Sequence, residues 1–323
     1  VPLLELKNLD IFYRTPQGRV NIVTDLGFEL EEGTVFGLAG ESGCGKSMTA
    51  LSIMGILPPN LHAEGEINFK GTNLLALPPK DLRDFRGKEI TMVFQEPMTS
   101  LNPVLKVGYQ IREVITTHLR VSRKEAEGKT VELLKAVRIP SPETRMGEYP
   151  HQMSGGMRQR IMMAMAIACS PSLLIADEPT TALDVTIEAQ LLELLRVLRE
   201  EKKMAVLLIT HDLGIIAENA EKVGIMYAGR MVELSGVKEL FETPMHPYTM
   251  GLLKSLPKQR GVPLEPIAGS VPRPDSLPQG CKFSDRCPYV KSKCRQEEPA
   301  LRHIALRGGG GHRARCIRVE EII

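Results

Sequence analysis

The sequence contains no tryptophan, and its formal net charge is only +2. That near balance gives no footing for a dedicated nucleic-acid groove or for a strongly acidic partner. Long hydrophobic runs are missing too: stretches such as Ala205 to Ile209 fall far short of a membrane span. The start, Val1-Pro-Leu-Leu-Glu5, has neither the basic flank nor the small-residue cleavage site of an export signal. These absences point to a soluble, cytoplasmic protein. In that compartment the six cysteines suit a metal or redox use better than disulfides. At 323 residues the chain is long enough for one large domain or for a domain with an appendage.

What is present is organised around residues 40–47, Gly-Glu-Ser-Gly-Cys-Gly-Lys-Ser. An apolar run at 34–39 reads as a buried strand before it, and residues 48–55 read as a helix after it. Strand, glycine loop and helix together make a phosphate-binding loop. Gly40, Gly43 and Gly45 let the backbone curl so that N–H groups face an anion, and the helix N-terminus adds partial positive charge. Lys46 supplies a charge for the β- and γ-phosphates, and the Ser47 hydroxyl is suited to ligate Mg²⁺.

Alternation over residues 3–13 and again over 20–30 predicts a small β subdomain, with Tyr13 near the end of its first strand. An aromatic there either packs in the core or stacks on a base. Residues 64–71 read as a hairpin strand, and residues 89–94 as a short buried strand ending at Gln95. From there to about residue 149 the pattern is helical, which predicts an inserted helical subdomain with a polar, turn-rich rim at 95–103. Ser154 precedes two glycines and an apolar helix expected over 161–169, so it is either an ordinary cap or part of a second anion site.

Residues 173–178 form a strand ending in two carboxylates. Asp177 suits Mg²⁺, and Glu178, turned away by strand alternation, suits alignment or deprotonation of a water. A turn at 179–184 leads into a helix over 185–200, and the strand at 204–210 ends at His211. Gln95, Asp177, His211 and the phosphate loop all follow strands, the edge at which α/β sheets bind ligands. A hairpin over 222–234 turns at Ala228-Gly229, a helix over 237–242 closes the domain, and a proline-rich linker follows.

Tyr13, residues 40–47, Gln95, Ser154-Gly155-Gly156, Asp177-Glu178, Asp184 and His211 stand in the order and spacing of the ATP-binding cassette (ABC) ATPases, which the chain resembles over about residues 3–245. The resemblance implies an α/β fold: a P-loop ATPase with a β subdomain, a RecA-like core and a helical subdomain at about 96–160. Residues 1–245 would be the ATPase domain and 246–323 a Cys-rich C-terminal extension. It implies that Tyr13 stacks on adenine, that Gly40, Glu41, Ser42, Gly43, Cys44, Gly45, Lys46 and Ser47 hold ATP, and that Ser47, Gln95 and Asp177 serve Mg²⁺. Gln95 would also sense the attacking water, Glu178 would be the general base and His211 would contact the γ-phosphate. Asp184 would sit across a dimer interface, where Ser154, Gly155 and Gly156 complete the partner subunit's ATP site. Met153 and Met157 depart from the usual Leu and Gln of that signature.

A narrower resemblance, carried by residues 95–103, 155–160, 227–230 and 246–257, is to the dipeptide/oligopeptide importer ATPases, in particular the member of the pair whose signature reads Met-Arg-Gln-Arg. It implies two membrane-spanning permease subunits, a second homologous ATPase in a head-to-tail dimer, and an extracytoplasmic peptide-binding protein. No nucleic acid is expected, and the location would be peripheral, on the cytoplasmic face of the inner membrane. Nickel importers share much of the pattern. The alternative from another class is a non-transport cassette ATPase acting on ribosomes or DNA, which commonly has two cassettes or a long coiled-coil insertion.

Cys281, Cys287, Cys294 and Cys316 give C-x5-C-x6-C-x21-C in a segment too short and polar to build its own core. The paired C-x2-4-C spacing of structural zinc is missing, and common ferredoxin spacings differ. The pattern is similar to the peptide-importer extension, which implies a [4Fe–4S] cluster; zinc or no centre remain alternatives. Cys44 and Cys169 are expected to be, respectively, a loop residue and a small core residue ending a helix.

Overall fold

Alternating side chains produce the strand Leu4–Thr15, which buries Leu4, Leu6, Leu9 and Ile11. It turns back through Pro16 and Gln17 into Gly18–Leu30, with the Thr15 hydroxyl donating to the Gly18 carbonyl at 2.9 Å. With His62–Phe69 and Thr72–Asn73 these strands make a four-stranded antiparallel sheet in which Leu4–Thr15 is flanked on both sides. The computed structural model describes residues 1–94, 101–181, 184–256, 266–304 and 311–323. They divide into two units, one of Val1–Ala76 with Leu208–Ile323 and one of Leu77–Leu207.

The first unit also holds the strand that leads to the glycine loop. Val35–Ala39 is buried at all five positions, the continuous apolar pattern of a parallel strand covered on both faces. It runs parallel to Lys222–Tyr227, which turns antiparallel into Arg230–Gly236. Arg313–Ala314 extends this sheet beside Arg230–Gly236, and Arg302–His303 lies outermost.

The residues after 245 are therefore docked by more than their cysteines. Phe283 is 2% exposed and shares one apolar cluster with Ala39, Leu213, Ile225, Tyr227 and Tyr248. Burying such a ring is worth about 1.5–3 kcal/mol. Buried Glu233 accepts the Met245 and His246 amides at 2.7 and 2.8 Å and lies 2.7 Å from His312 Nε2. Arg315 donates to the carbonyls of Met231 and Pro299. The segment does not build a core of its own: it borrows the core and the sheet edge of the residues before it. Burial pushes His246 down to about 4, and its Nδ1 caps the helix Pro247–Lys254 by accepting the Tyr248 amide.

In the second unit Ile90–Val93 pairs parallel with Leu173–Asp177. The helix Arg123–Ala136 begins in a capping box made by Ser122 and Glu125. Gly155–Ala166 starts and ends earlier than the apolar run suggested. The Ser154 hydroxyl accepts the Met157 amide at the start, and left-handed Ser170 turns the chain after the end. Cys169 thus lies beyond the helix and half-buried, which corrects its reading as a core residue. Asp184 caps Val185–Lys202 by accepting the Ile187 amide at 2.9 Å. Among the described residues no helix is long and apolar enough to cross a membrane.

Candidate phosphate-binding site

The loop after Val35–Ala39 depends on glycine at two positions above all. At Gly40, φ is +148° and a Cβ would lie 2.2 Å from the Met226 carbonyl oxygen. At Gly45, φ is +105° and a Cβ would meet Val23 at 2.6 Å. Gly45 is also the N-cap of the helix Lys46–Ile53 and has no side chain with which to cap it. The first-turn N–H groups are thus left uncapped by any N-cap side chain, and a helix start with free N–H groups favours an anion. Lys46 is 5% exposed; its ammonium donates to the Gly40 carbonyl at 2.7 Å and to the Glu41 carbonyl at 3.1 Å. Cys44 is buried behind it, and burial raises its thiol pKa. Tyr13 is half-buried opposite Val20, at an end of its strand. His211 is exposed just beyond Ala205–Thr210.

In the second unit Asp177 ends its strand at 4% exposure. Glu178 is not a strand residue: its φ is +46°, so a left-handed turn sets its direction. Strand alternation therefore does not govern where Glu178 points. The Thr181 hydroxyl donates to Glu178 Oε2 at 2.9 Å and orients it. Ser154 and Gly155 are exposed at the start of Gly155–Ala166, and a Cβ on Gly155 would meet nothing within 4 Å. Gly156 is closed in by Ile187, which lies 3.1 Å from where its Cβ would stand. Gln95 and residues 96–100 lie outside the described residues, as do residues 182 and 183.

Residues 23–181 match the family model described as ABC transporter, and residues 232–294 match the one described as oligopeptide/dipeptide transporter, C-terminal region. The sequence is 48% identical to the dipeptide transport ATP-binding protein DppD of Haemophilus influenzae, across 94% of this chain and 93% of the relative. It is 47% identical to the oligopeptide transport ATP-binding protein AppD of Bacillus subtilis, across 99% and 97%. The chain belongs to the ABC transporter ATP-binding proteins. Its fold is that of solved ABC cassettes. A dimeric ATP-binding cassette in a post-hydrolysis state with ADP and Pi aligns with a TM-score of 0.65 at 26% identity, covering 72% of this chain and 98% of that one. The cbiO1 protein of Clostridium perfringens, part of an ABC transporter complex, gives 0.64 at 25% identity, covering 75% and 91%.

Sequence reasoning assigned no role to three side chains that touch the site elements of this ABC ATPase. Gln159, 2% exposed on the signature helix, donates through Nε2 to the Pro179 carbonyl and so holds the residue that follows Glu178. The Tyr248 hydroxyl accepts the Glu41 amide at 2.9 Å. Arg286 forks onto the Glu41 carboxylate. The motif at 246–257 drew attention to Tyr248; nothing local marks Arg286.

Cys281, Cys287, Cys294 and Cys316 all line one small cavity, together with His246 and Phe283. All four are free thiols, and burial pushes Cys281 up to about 12 and raises Cys287 and Cys316 as well. Among the described residues no group of three or more His, Cys, Asp or Glu is drawn together as a metal site.

Proposed function

We propose that this chain is the ATPase subunit of an importer for di- or oligopeptides. The observation that carries this reading is that the likeness to dipeptide and oligopeptide transport ATP-binding proteins runs through nearly the whole chain, including the extension. Two permease subunits, a second homologous ATPase and an extracytoplasmic binding protein would complete the assembly, with this subunit peripheral on the cytoplasmic face of the membrane. The tagged chain, extracted from its native membrane in mild detergent, is expected to bring down two hydrophobic subunits and a second ATPase. Purification with ribosomes or DNA instead would overturn the importer assignment.

The family and the local geometry support the following reading of the residue roles. Residues 40–47 cradle the phosphates with backbone N–H groups, Lys46 exchanges its carbonyl partners for phosphate oxygens, and Tyr13 stacks on the base. Mg²⁺, where bound, offsets phosphate charge; Ser47, at the helix start, Asp177, at its strand end, and Gln95 would hold it. Glu178, oriented by Thr181, takes a proton from the attacking water. His211 contacts the γ-phosphate. Asp184, Ser154, Gly155 and Gly156 act at the cassette dimer interface. Residues 1–245 form the ATPase domain, with the helical subdomain at about 96–160, and 246–323 form the extension.

The four thiols fit a [4Fe–4S] cluster in two respects: all are sulfur donors facing one cavity, and none is used up in a disulfide. Cys281, Cys287, Cys294 and Cys316 would hold it. The cluster would bind the extension together and supply a redox-active centre. Protein purified without oxygen is expected to contain iron and acid-labile sulfide in equal amounts, about four of each per chain for this cluster type, and to lose both in Cys287→Ser. Zinc without sulfide would make the centre a structural metal site, and metal-free folded protein would remove it.

A further inference from the structure

Glu41 is a carboxylate inside a loop whose task is to receive a highly charged anion. Its backbone carbonyl lies 3.1 Å from the Lys46 ammonium, so it stands within the cradle itself. Left alone, its charge would oppose a triphosphate. The structure neutralises it from a part of the chain 245 residues away. Arg286 donates from Nη1 to Oε2 at 2.6 Å and from Nη2 to Oε1 at 2.9 Å, a two-pronged fork. The guanidinium is itself held in place: Nε donates to the Ala268 carbonyl at 2.8 Å, and the Arg286 side chain is 5% exposed. Tyr227 and Phe283 lie beneath it, with ring centroids 5.6 and 6.0 Å from the guanidinium carbon. Tyr248 pins the same loop residue through its amide. Such a buried, fully bonded arginine is a fixed positive charge, and its only carboxylate partner among the described residues belongs to the phosphate loop.

We propose that Arg286, supplied by the extension, is a positioning residue of the nucleotide site, which masks the Glu41 carboxylate and so makes ATP affinity depend on how the extension is seated. This rests on the ATP reading of residues 40–47. It assigns the extension a part in the electrostatics of nucleotide binding, in addition to its own cysteine cavity.

The test is ATP affinity of the full chain, measured by fluorescence titration with a labelled ATP, together with thermal melting. Arg286→Gln is expected to weaken binding about tenfold, or about 1.4 kcal/mol, because the Glu41 carboxylate, carried by the loop, then loses its counter-charge. Adding Glu41→Gln to that variant removes the exposed charge and is expected to restore affinity to within about threefold of the unaltered chain, a residual below 0.7 kcal/mol. Arg230→Gln serves as the comparison, since the Arg230 guanidinium docks the extension through an ion pair with Glu298 and, among the described residues, has that carboxylate and no loop carboxylate as its ion-pair partner. It should lower melting while leaving ATP affinity in place. The proposal is overturned if Arg286→Gln binds ATP like the unaltered chain, if the double variant is as weak as the single one, or if Arg230→Gln loses affinity equally. Those last two results would mean that Arg286 only docks the extension. Failure of the unaltered chain to bind ATP would instead remove the nucleotide reading on which the proposal stands.

Discussion

Glu178→Gln is expected to keep ATP binding and to lose about 10²-fold to 10⁴-fold in hydrolysis, the range a positioned general base supplies. The amide has the shape of the carboxylate and can still meet the Thr181 hydroxyl that now bonds Glu178 Oε2 at 2.9 Å. It cannot take a proton from water. Binding is expected to persist because the cradle proposed for the phosphates lies in residues 40–47, and the role proposed for Glu178 is to take a proton and not to hold the nucleotide. The measurement pairs phosphate release at saturating ATP with an ATP titration of the same variant. Turnover at the level of the unaltered chain would remove Glu178 from the role. A parallel loss of affinity would mean that the left-handed turn at Glu178, φ +46°, had shifted and carried its neighbours with it. The Gln159 bond to the Pro179 carbonyl should resist such a shift.

The elements read most easily from sequence were those whose signal is local. Val35–Ala39 is a continuous apolar run closed by glycine, and Val237–Glu242 lies where its pattern placed it. The glycine loop at 40–47 was legible because glycine, lysine and serine at that spacing have few other uses, and the positive φ angles at Gly40, Gly43 and Gly45 supply the reason for each glycine. Helix ends were less legible. The apolar stretch after the signature hid a start at Gly155, because a serine cap lets two glycines enter a helix that propensity alone would refuse them. Glu178 does not continue the strand as the pattern suggested: a strand pattern does not show where the last residue leaves the strand. The docking of the C-terminal residues was not visible at all. Arg286 with Glu41, His312 with Glu233 and Arg315 with Asp25 are pairs between residues far apart in the chain, and no periodicity or motif joins such partners.

Removing the Lys46 ammonium should act on the other half of the reaction. Its present partners are two carbonyl dipoles of its own loop, at 2.7 and 3.1 Å, with the Cys44 sulfur at 3.7 Å. Phosphate oxygens carry full charge, so the ammonium gains by exchanging carbonyls for them in a site it reaches while only 5% exposed. Truncating one member of such a buried charge pair costs about 2–5 kcal/mol, which is roughly 30-fold to 4,000-fold in affinity. Lys46→Ala is therefore expected to lose ATP binding by that factor, and hydrolysis at ordinary ATP concentrations with it. The variant also leaves the Gly40 and Glu41 carbonyls without this donor, so melting without nucleotide is the necessary companion measurement. A folded variant no longer stabilised by added ATP places the effect in binding, since a ligand raises melting only as far as it binds the native state. An affinity within threefold of the unaltered chain would show that the backbone amides and the helix terminus hold the phosphates without Lys46. The pair of variants is then expected to separate binding from turnover, with Glu178→Gln binding ATP without turning it over and Lys46→Ala failing to bind it.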